Sequence, residues 1–253
     1  MSSDQRRTMR PVAYVPRPLR EHPVVTTQTT NRRPRPTKGS KPSHLAEQMD
    51  EAILESATLL FAAKGYSGTS TREIGERVGL DKTSLYYYFR SKEEILFRVI
   101  ARLRDKGEMR MKQIAEMSLP PDERLAAAMR AHAVELRDHR DEAKVFLEES
   151  RHIEGRHRNE LAQYRRAYEQ QIEQIIQEGQ EDGLFDKGIN SEMATRGILS
   201  MLNGLFSARH PIDPSYIDES TEVYVRVALA GMRPQRAPKT ARKRTRPAVL
   251  TES

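Results

Sequence analysis

Residues 69–94 constrain the fold of this chain most, because they hold the starts and ends of three helices at close spacing. Ser70 and, three residues later, Glu73 form the pattern of a capping box, which opens a short helix. Gly79 ends that helix, since glycine accepts the left-handed backbone of a helix stop. Asp81 then caps a second short helix. The pattern predicts two short helices joined by a tight turn.

The second short helix is predicted to have one buried face and one polar face. Leu85 and Phe89 are four residues apart and point inward together. The other faces bear hydroxyls and a lysine but no carboxylate; their residues are Lys82, Thr83, Ser84, Tyr86, Tyr87 and Tyr88. Such a surface suits a phosphate backbone and the edges of bases.

The stretch from about residue 47 to residue 94 resembles the helix-turn-helix of the TetR family of bacterial transcriptional regulators. The matching positions are Ile53, Ala57, Leu60, Phe61, Gly65, Tyr66, Thr71, Ile74, Gly79, Leu85, Tyr86, Tyr88, Phe89, Ser91, Lys92 and Glu94. The resemblance implies that the second short helix enters the major groove of an operator. It also implies a homodimer, and a second domain that holds a small-molecule effector.

Carried over by position, the resemblance divides the polar residues into two groups. The predicted base contacts are Lys82, Thr83 and Tyr87, and the predicted phosphate contacts are Thr71, Ser84, Tyr86, Tyr88 and Lys92. The alternative for Tyr86 and Tyr88 is a partly buried ring with a hydrated tip. Asp81 stands where serine is more usual in the family, and we interpret it as a helix cap.

Helical periodicity continues through the rest of the chain, without a strand signal or a repeat. Helices are predicted over about 45–64, 70–89, 91–117, 121–138, 141–153, 156–182, from Ser191, and over 215–232. We predict an all-α fold, with a three-helix DNA-binding domain over 45–91 and a helical effector-binding and dimerisation domain over 92–232.

Charge is distributed unevenly along the chain. The formal net charge is +7, yet residues 1–44 hold ten Lys and Arg against two acids and residues 233–253 hold seven against one. The remaining 26 basic and 33 acidic residues give residues 45–232 a charge of −7. We expect two disordered basic tails, which either add non-specific phosphate contacts or only solubilise the protein.

Several functional classes find no support in the sequence. There is no cysteine, and no motif of a catalytic, metal or cofactor site is present. Two Glu-x-x-His pairs, at Glu149–His152 and Glu154–His157, adjoin at a helix break, and we interpret them as surface charge. Neither a membrane span nor a signal peptide is indicated. We expect a cytoplasmic bacterial protein, nucleoid-associated when bound to DNA.

The effector is predicted to bind between the helices over 121–138, 141–153 and 156–182. Tyr164 and Tyr168 add polar tips to an apolar face, and Phe146 and His132 can converge with them. The alternative is an ordinary core stripe. The segment 146–185 is similar to TetR-like repressors that respond to acyl-CoA thioesters, which implies an apolar, anionic effector such as an acyl-CoA.

The last two predicted helices are expected to form the dimer interface. Their small or apolar residues at helical spacing are Gly197, Ser200, Gly204 and Ala208, with Val223 and Val227 opposite. A two-fold mate lets a recognition helix read each half of a palindromic operator. We therefore predict a ligand-responsive repressor. The alternatives are a constitutive DNA-organising accessory factor without an effector and a helical enzyme, which the missing catalytic set opposes.

Overall fold

The computed structural model describes residues 44–206 and 213–234, and the regular elements in those ranges are all helices. They are α1 His44–Lys64, α2 Thr71–Arg77, α3 Lys82–Tyr88, α4 Lys92–Ala115, α5 Pro121–Asp138, α6 Arg140–Glu149, the 3₁₀ helix Ser150–His152, α7 Gly155–Glu181, α8 Ser191–Gly204 and α9 Pro214–Met232. The all-α prediction is confirmed. Ala208 and nearly all of the two predicted tails lie outside the described residues.

Local capping fixes the short helices at the positions that the sequence indicates. The Ser70 side chain accepts a hydrogen bond from the backbone N–H of Glu73, and the Glu73 carboxylate accepts one from Ser70 in return. Asp81 accepts from the backbone N–H of Ser84 at 2.7 Å, which lowers the pKa of its carboxyl group. These bonds satisfy N–H groups that a helix start otherwise leaves without partners.

Helices α1–α3, which we call the head, pack around a dense apolar core with the first turns of α4. The buried members include Ile53, Phe61, Ile74, Leu85 and Phe89. Three side chains from later in the chain complete the same cluster: Val145, Ile153 and Leu161. The head core is therefore closed by residues of α6 and α7 and by the segment between them.

Helices α5–α9, which we call the body, have a separate core in which α5 is central. Helix α5 packs against α4, α7, α8 and α9, and its inward residues include Leu125 and Met129. Arg130 pairs with Glu222 on α9 through two hydrogen bonds of 2.6 and 2.8 Å. The pair is about half exposed, so it adds little stability beyond the apolar packing.

The structure corrects the predicted helix over 141–153, which is interrupted near its end. Helix α6 ends at Glu149, a 3₁₀ turn follows, and Ile153 has extended dihedrals that bury its side chain in the head core. Helix α7 begins at Gly155, slightly earlier than predicted, and this glycine has a φ of 54°. The reversal of the chain brings the end of α6 against the head.

Candidate nucleic-acid interface and effector cavity

The predicted base contacts lie together on the exposed face of α3. Leu85 and Phe89 are each 1% exposed, which fixes the orientation of the helix. Lys82, Thr83 and Tyr87 are left on the outside, and Tyr87 is 48% exposed. These three side chains are therefore accessible to a partner surface.

The predicted phosphate contacts are more varied in their surroundings. Tyr86 is exposed, and its hydroxyl lies 3.5 Å from the hydroxyl of Thr71, so the two groups form a polar pair across α2 and α3. Ser84 is half-buried at the start of α3. Tyr88 is also half-buried, and its ring packs against the head core. This agrees with the alternative interpretation of Tyr88 as a partly buried ring.

Lys92 has internal partners that the sequence analysis did not foresee. Its ammonium donates to the backbone carbonyls of Tyr66 and Thr69, at 2.8 and 2.9 Å. The ammonium also lies 4.1 Å from the centre of the Tyr66 ring. Burial lowers the pKa of this lysine. Lys92 thus holds the α1–α2 connection against the start of α4, whatever it contributes to phosphate binding.

A cavity of about 410 Å³ lies in the body, between α4, α5, α6, α7 and α8. It brings together the four predicted effector residues His132, Phe146, Tyr164 and Tyr168. Helices α4 and α8 also contribute walls, which the sequence analysis did not predict. The volume is within the usual range of small-molecule sites. Apolar walls come from Leu103, Leu136, Leu147 and Leu199.

A chain of hydrogen bonds crosses one side of the cavity. Nδ1 of His132 lies 2.9 Å from the Tyr168 hydroxyl, and Nε2 lies 3.0 Å from Oδ1 of Asn203. A neutral imidazole satisfies both contacts if Nε2–H donates to Asn203 and Nδ1 accepts from Tyr168. Burial lowers the pKa of His132, which favours this neutral form, and burial raises the pKa of Tyr168.

Charged side chains also border the cavity. Arg104, Arg165 and Arg196 are among its lining residues, together with Glu135 and Glu169. The Arg165 guanidinium lies over the Phe146 ring at 5.1 Å and donates to the Ser150 hydroxyl at 2.7 Å. Arg165 and Arg196 are exposed, so the arginines form a basic rim rather than a buried charge. We refer to these three arginines as the rim.

The end of α6 forms a polar latch with the head, which the sequence analysis missed. Glu149 is only 7% exposed, and its Oε2 accepts a hydrogen bond from the backbone N–H of Tyr66 at 3.1 Å. The His152 ring stacks on Tyr66 at 4.9 Å. The interpretation of this Glu-x-x-His pair as surface charge is wrong, because the end of α6 and the 3₁₀ turn that follows place both side chains against the head.

The second Glu-x-x-His pair contributes a further contact between body and head. Nδ1 of His157 lies 3.1 Å from the carboxylate of Glu93, at the start of α4. The same ring stacks on Phe97 at 4.1 Å. Glu154, the other member of the pair, is exposed. No group of His, Asp and Glu side chains in the described ranges is arranged to hold a metal ion.

The predicted dimer residues that the structure describes are exposed on α8 and α9. Gly197, Ser200 and Gly204 are exposed on α8, and a Cβ added at either glycine would meet nothing. Val223 and Val227 are exposed on α9, Val227 at 54%. Ser200 also lines the cavity.

Within the two described ranges, no helix is both long enough and apolar enough to cross a membrane.

Comparison with known protein families gives matches over both parts of the chain. Residues 53–99 match the family described as bacterial regulatory proteins, tetR family. Residues 118–232 match the family described as tetracyclin repressor-like, C-terminal domain. The first match covers α2, α3 and the recognition surface, and the second covers α5–α9.

Individual relatives agree with these family matches. The chain is 24% identical to the HTH-type transcriptional repressor KstR2 of Mycolicibacterium smegmatis over 192 residues, which cover 76% of this chain and 93% of the relative. The crystal structure of the TetR family regulator PfmR from Thermus thermophilus superposes with a TM-score of 0.65 at 29% identity, covering 70% of this chain and 97% of PfmR.

A second similar structure contains both a small molecule and operator DNA. AibR, in complex with isovaleryl coenzyme A and operator DNA, has a TM-score of 0.65 at 23% identity, covering 71% of this chain and 97% of AibR. At that identity the likeness shows the fold alone. The two family matches, together with the capped helix pair that they span, establish what kind of protein this is. The chain belongs to the TetR family of DNA-binding transcriptional regulators and is not an enzyme.

Proposed function

We propose that this regulator is a homodimeric repressor that leaves its operator when a small molecule enters the body cavity. One observation carries the proposal: the helices α4 and α6 both line the cavity and both pack against α1 of the head. A ligand that changes the position of either helix therefore acts on the head, to which α3 belongs. The domain boundary proposed at residues 91 and 92 lies just before the start of α4.

In this proposal α3 reads base edges in the major groove, and the residues around it bind phosphates. Lys82 can donate to guanine, the Thr83 methyl can contact thymine, and the half-exposed Tyr87 ring can reach a base edge. Thr71, Ser84, Tyr86 and Tyr88 supply hydroxyls for phosphate oxygens. Lys92 is assigned a smaller share of the phosphate contacts than its charge implies, because two backbone carbonyls already accept from its ammonium.

The exposed surface of α8 and α9 is the proposed dimer interface. Its glycines allow close helix approach, and its two exposed valines supply apolar area that water otherwise covers. Two-fold symmetry then places two copies of α3 on a palindromic operator, about 34–36 Å apart or a multiple of that. The dimer would associate with the nucleoid when it binds DNA.

The proposed effector has an apolar part for the cavity and an anionic part for the rim. The walls of the cavity are mainly leucine and aromatic side chains, and three arginines border it. An acyl-CoA thioester has this division, with the acyl group enclosed and the phosphates outside. The ligand in the AibR structure, isovaleryl coenzyme A, supports this choice of chemical class.

The latch at Glu149 is the proposed path from cavity to head. Phe146 and Leu147 line the cavity, and Glu149, at the end of the same helix, binds the backbone of Tyr66. A ligand shifts the equilibrium only by the ratio of its affinities for the two conformations, and a 100-fold preference corresponds to about 2.7 kcal/mol. The accessory-factor alternative is not favoured, since it gives the cavity no role.

Three measurements and one pair of variants test the proposal. Capture of genomic DNA fragments by the purified protein should yield a palindromic sequence, and size-exclusion chromatography with light scattering should give a dimer. Titration of acyl-CoA thioesters into the protein–operator complex should then release the DNA. Tyr168→Ala should weaken the response to the thioester, whereas Met109→Ala, at an exposed methionine outside the cavity, should leave it unchanged. Release that is equal in both variants would refute the cavity as the effector site.

A further inference from the structure

The cavity wall contains a hydroxyl, that of Tyr164, for which the described part of the chain supplies no hydrogen-bond partner. Tyr164 is half-buried on α7, and its hydroxyl faces α4 at Gly107. A Cβ added at Gly107 would lie 3.2 Å from this hydroxyl and 3.8 Å from the Tyr168 ring. Tyr164, Gly107 and Tyr168 all line the cavity, so the hydroxyl is placed among the walls of the cavity.

The surroundings of the Tyr164 ring fix the position of this hydroxyl. The ring packs on that of Tyr168, with the centroids 6.0 Å apart, and the Arg104 guanidinium lies over it at 5.9 Å. Arg104 is itself held by the neighbouring Asp105, whose carboxylate accepts a hydrogen bond from it at 2.9 Å. Burial raises the pKa of Tyr164, so the hydroxyl stays protonated and is available as a donor.

Most other polar groups of the cavity wall are already engaged within the protein. Both ring nitrogens of His132 are occupied, by Tyr168 and by Asn203. The charged side chains have partners too: Glu135 has His139, Arg104 has Asp105, Arg165 has Ser150, and Arg196 has Glu192 and Glu169. The hydroxyl of Ser200 is exposed, so water can satisfy it. Tyr164 thus offers a half-buried donor that a bound ligand can satisfy.

The location of this donor corresponds to one part of the proposed ligand. Arg104 belongs to the rim, whereas Tyr168 packs against the apolar core of the body. The Tyr164 ring contacts both side chains, so it lies between the place proposed for the phosphates and the place proposed for the acyl chain. The thioester carbonyl is an acceptor at the start of the acyl chain, and a hydroxyl donor matches it.

We infer that the Tyr164 hydroxyl donates a hydrogen bond to the thioester carbonyl of the effector, so that the cavity distinguishes a thioester from a ligand without that carbonyl. This inference rests on the proposed effector function and adds a specificity-determining residue to it. The apolar walls do not make this distinction, because an alkyl chain fills them equally well. A polar group in a site disfavours an analogue that lacks the matching group, since the polar group is then left unpaired.

Calorimetric titration of the full-length protein with matched pairs of ligands tests the inference. Octanoyl-CoA is compared with the thioether S-octyl-CoA, and butanoyl-CoA with S-butyl-CoA. The two members of a pair have the same number of carbons, and only the thioester has the carbonyl. At least one thioester should bind about fivefold more tightly than its thioether, the factor expected of one net hydrogen bond. Operator release, measured in parallel, should follow the same order.

Substitutions around the hydroxyl identify the donor. Tyr164→Phe keeps the ring and should abolish the preference for the thioester. Its melting temperature should stay near that of the wild type, because no hydrogen bond within the described residues is lost. Gly107→Ala places a methyl group against the hydroxyl and should reduce the preference. Tyr224→Phe, which removes a hydroxyl on α9 outside the cavity, is the matched control and should leave the preference intact.

The possible failures are distinguishable. If the ligands bind and release DNA but the wild type does not prefer a thioester, the inference is refuted and the proposed function stands. The same holds if the preference survives in Tyr164→Phe. If none of the four ligands binds, both the inference and the proposed effector class are refuted.

Discussion

The head and the body are both small helical assemblies, yet their interiors differ. In the head, side chains such as Phe61, Leu85 and Phe89 are fully buried around one apolar cluster. In the body, the apolar core adjoins a cavity of about 410 Å³, which is lined in part by two half-buried tyrosines and a half-buried histidine. The comparison teaches that the surface proposed to read DNA stands on a filled core, whereas the body, where we propose that a ligand binds, keeps unfilled volume at a cost in stability.

Truncating one leucine in the head and one in the body should give the largest difference in the free energy of unfolding. Leu85→Ala leaves a void behind the recognition helix, with an expected loss of about 3 kcal/mol in the free energy of unfolding. Leu199→Ala, beside the cavity, should cost about 1 kcal/mol, because its side chain is already partly without contacts. Urea unfolding followed by circular dichroism measures both. Equal losses would mean that the cavity is filled in solution.

The next largest loss of stability should come from removing the latch at Glu149. Glu149→Ala leaves the Tyr66 N–H without its acceptor and should destabilise the protein by about 2 kcal/mol, typical of a hydrogen bond to a charged group. It should also weaken the effect of the ligand on operator affinity, measured by fluorescence anisotropy with and without effector. Glu148→Ala, at the exposed neighbour, is the control. Unchanged coupling in Glu149→Ala would exclude the latch as the path.

Two substitutions at the DNA surface should separate sequence preference from structural support. Tyr87→Ala should lower discrimination between operator and unrelated DNA by about 1–3 kcal/mol without affecting stability, since the side chain is half exposed. Lys92→Ala should weaken binding to all sequences alike and also lower the melting temperature, since two carbonyls lose their donor. Binding and melting experiments on the same samples test both. A change of preference in Lys92→Ala would contradict this division.

The smallest expected effect concerns Gly107 on α4, and Gly179 on α7 provides the contrast. At Gly107 an added Cβ would lie 3.2 Å from the Tyr164 hydroxyl, which borders the cavity and has room to move. Gly107→Ala should therefore raise stability by about 0.5 kcal/mol, through helix propensity, while weakening effector binding. Gly179→Ala should instead destabilise, because its Cβ would lie 2.3 Å from the buried Phe185 ring. Thermal melting of both variants shows whether each substitution raises or lowers the stability.

Local signals made most of the fold predictable from the sequence. The capping residues Ser70 and Asp81 act within three residues of their partners, and the structure has each bond where the sequence indicates it. Apolar periodicity in the same way placed α4 and α7. Such interactions join residues that are close in sequence. They can therefore be predicted without knowledge of the tertiary contacts.

The parts that the sequence did not reveal depend on contacts between distant segments. Glu149 is 83 residues from Tyr66, and its burial depends on where a 3₁₀ turn interrupts the end of α6. Asn203 and Glu135 reach the cavity only because α8 and α5 pack around it. Periodicity assigned Tyr164 and Tyr168 to an inward face, but it could not distinguish a core from a cavity wall.

The sharing of the head core with later residues has a consequence for engineered chimeric regulators. Val145, Ile153 and Leu161 belong to the same apolar cluster as the helices of the head. A fusion that exchanges residues 1–91 with those of a relative would set a foreign surface against these three side chains and against Glu149. The DNA specificity of this protein is therefore transferable only together with the matching α6–α7 corner, and a transplant that ignores it should yield a regulator that no longer responds.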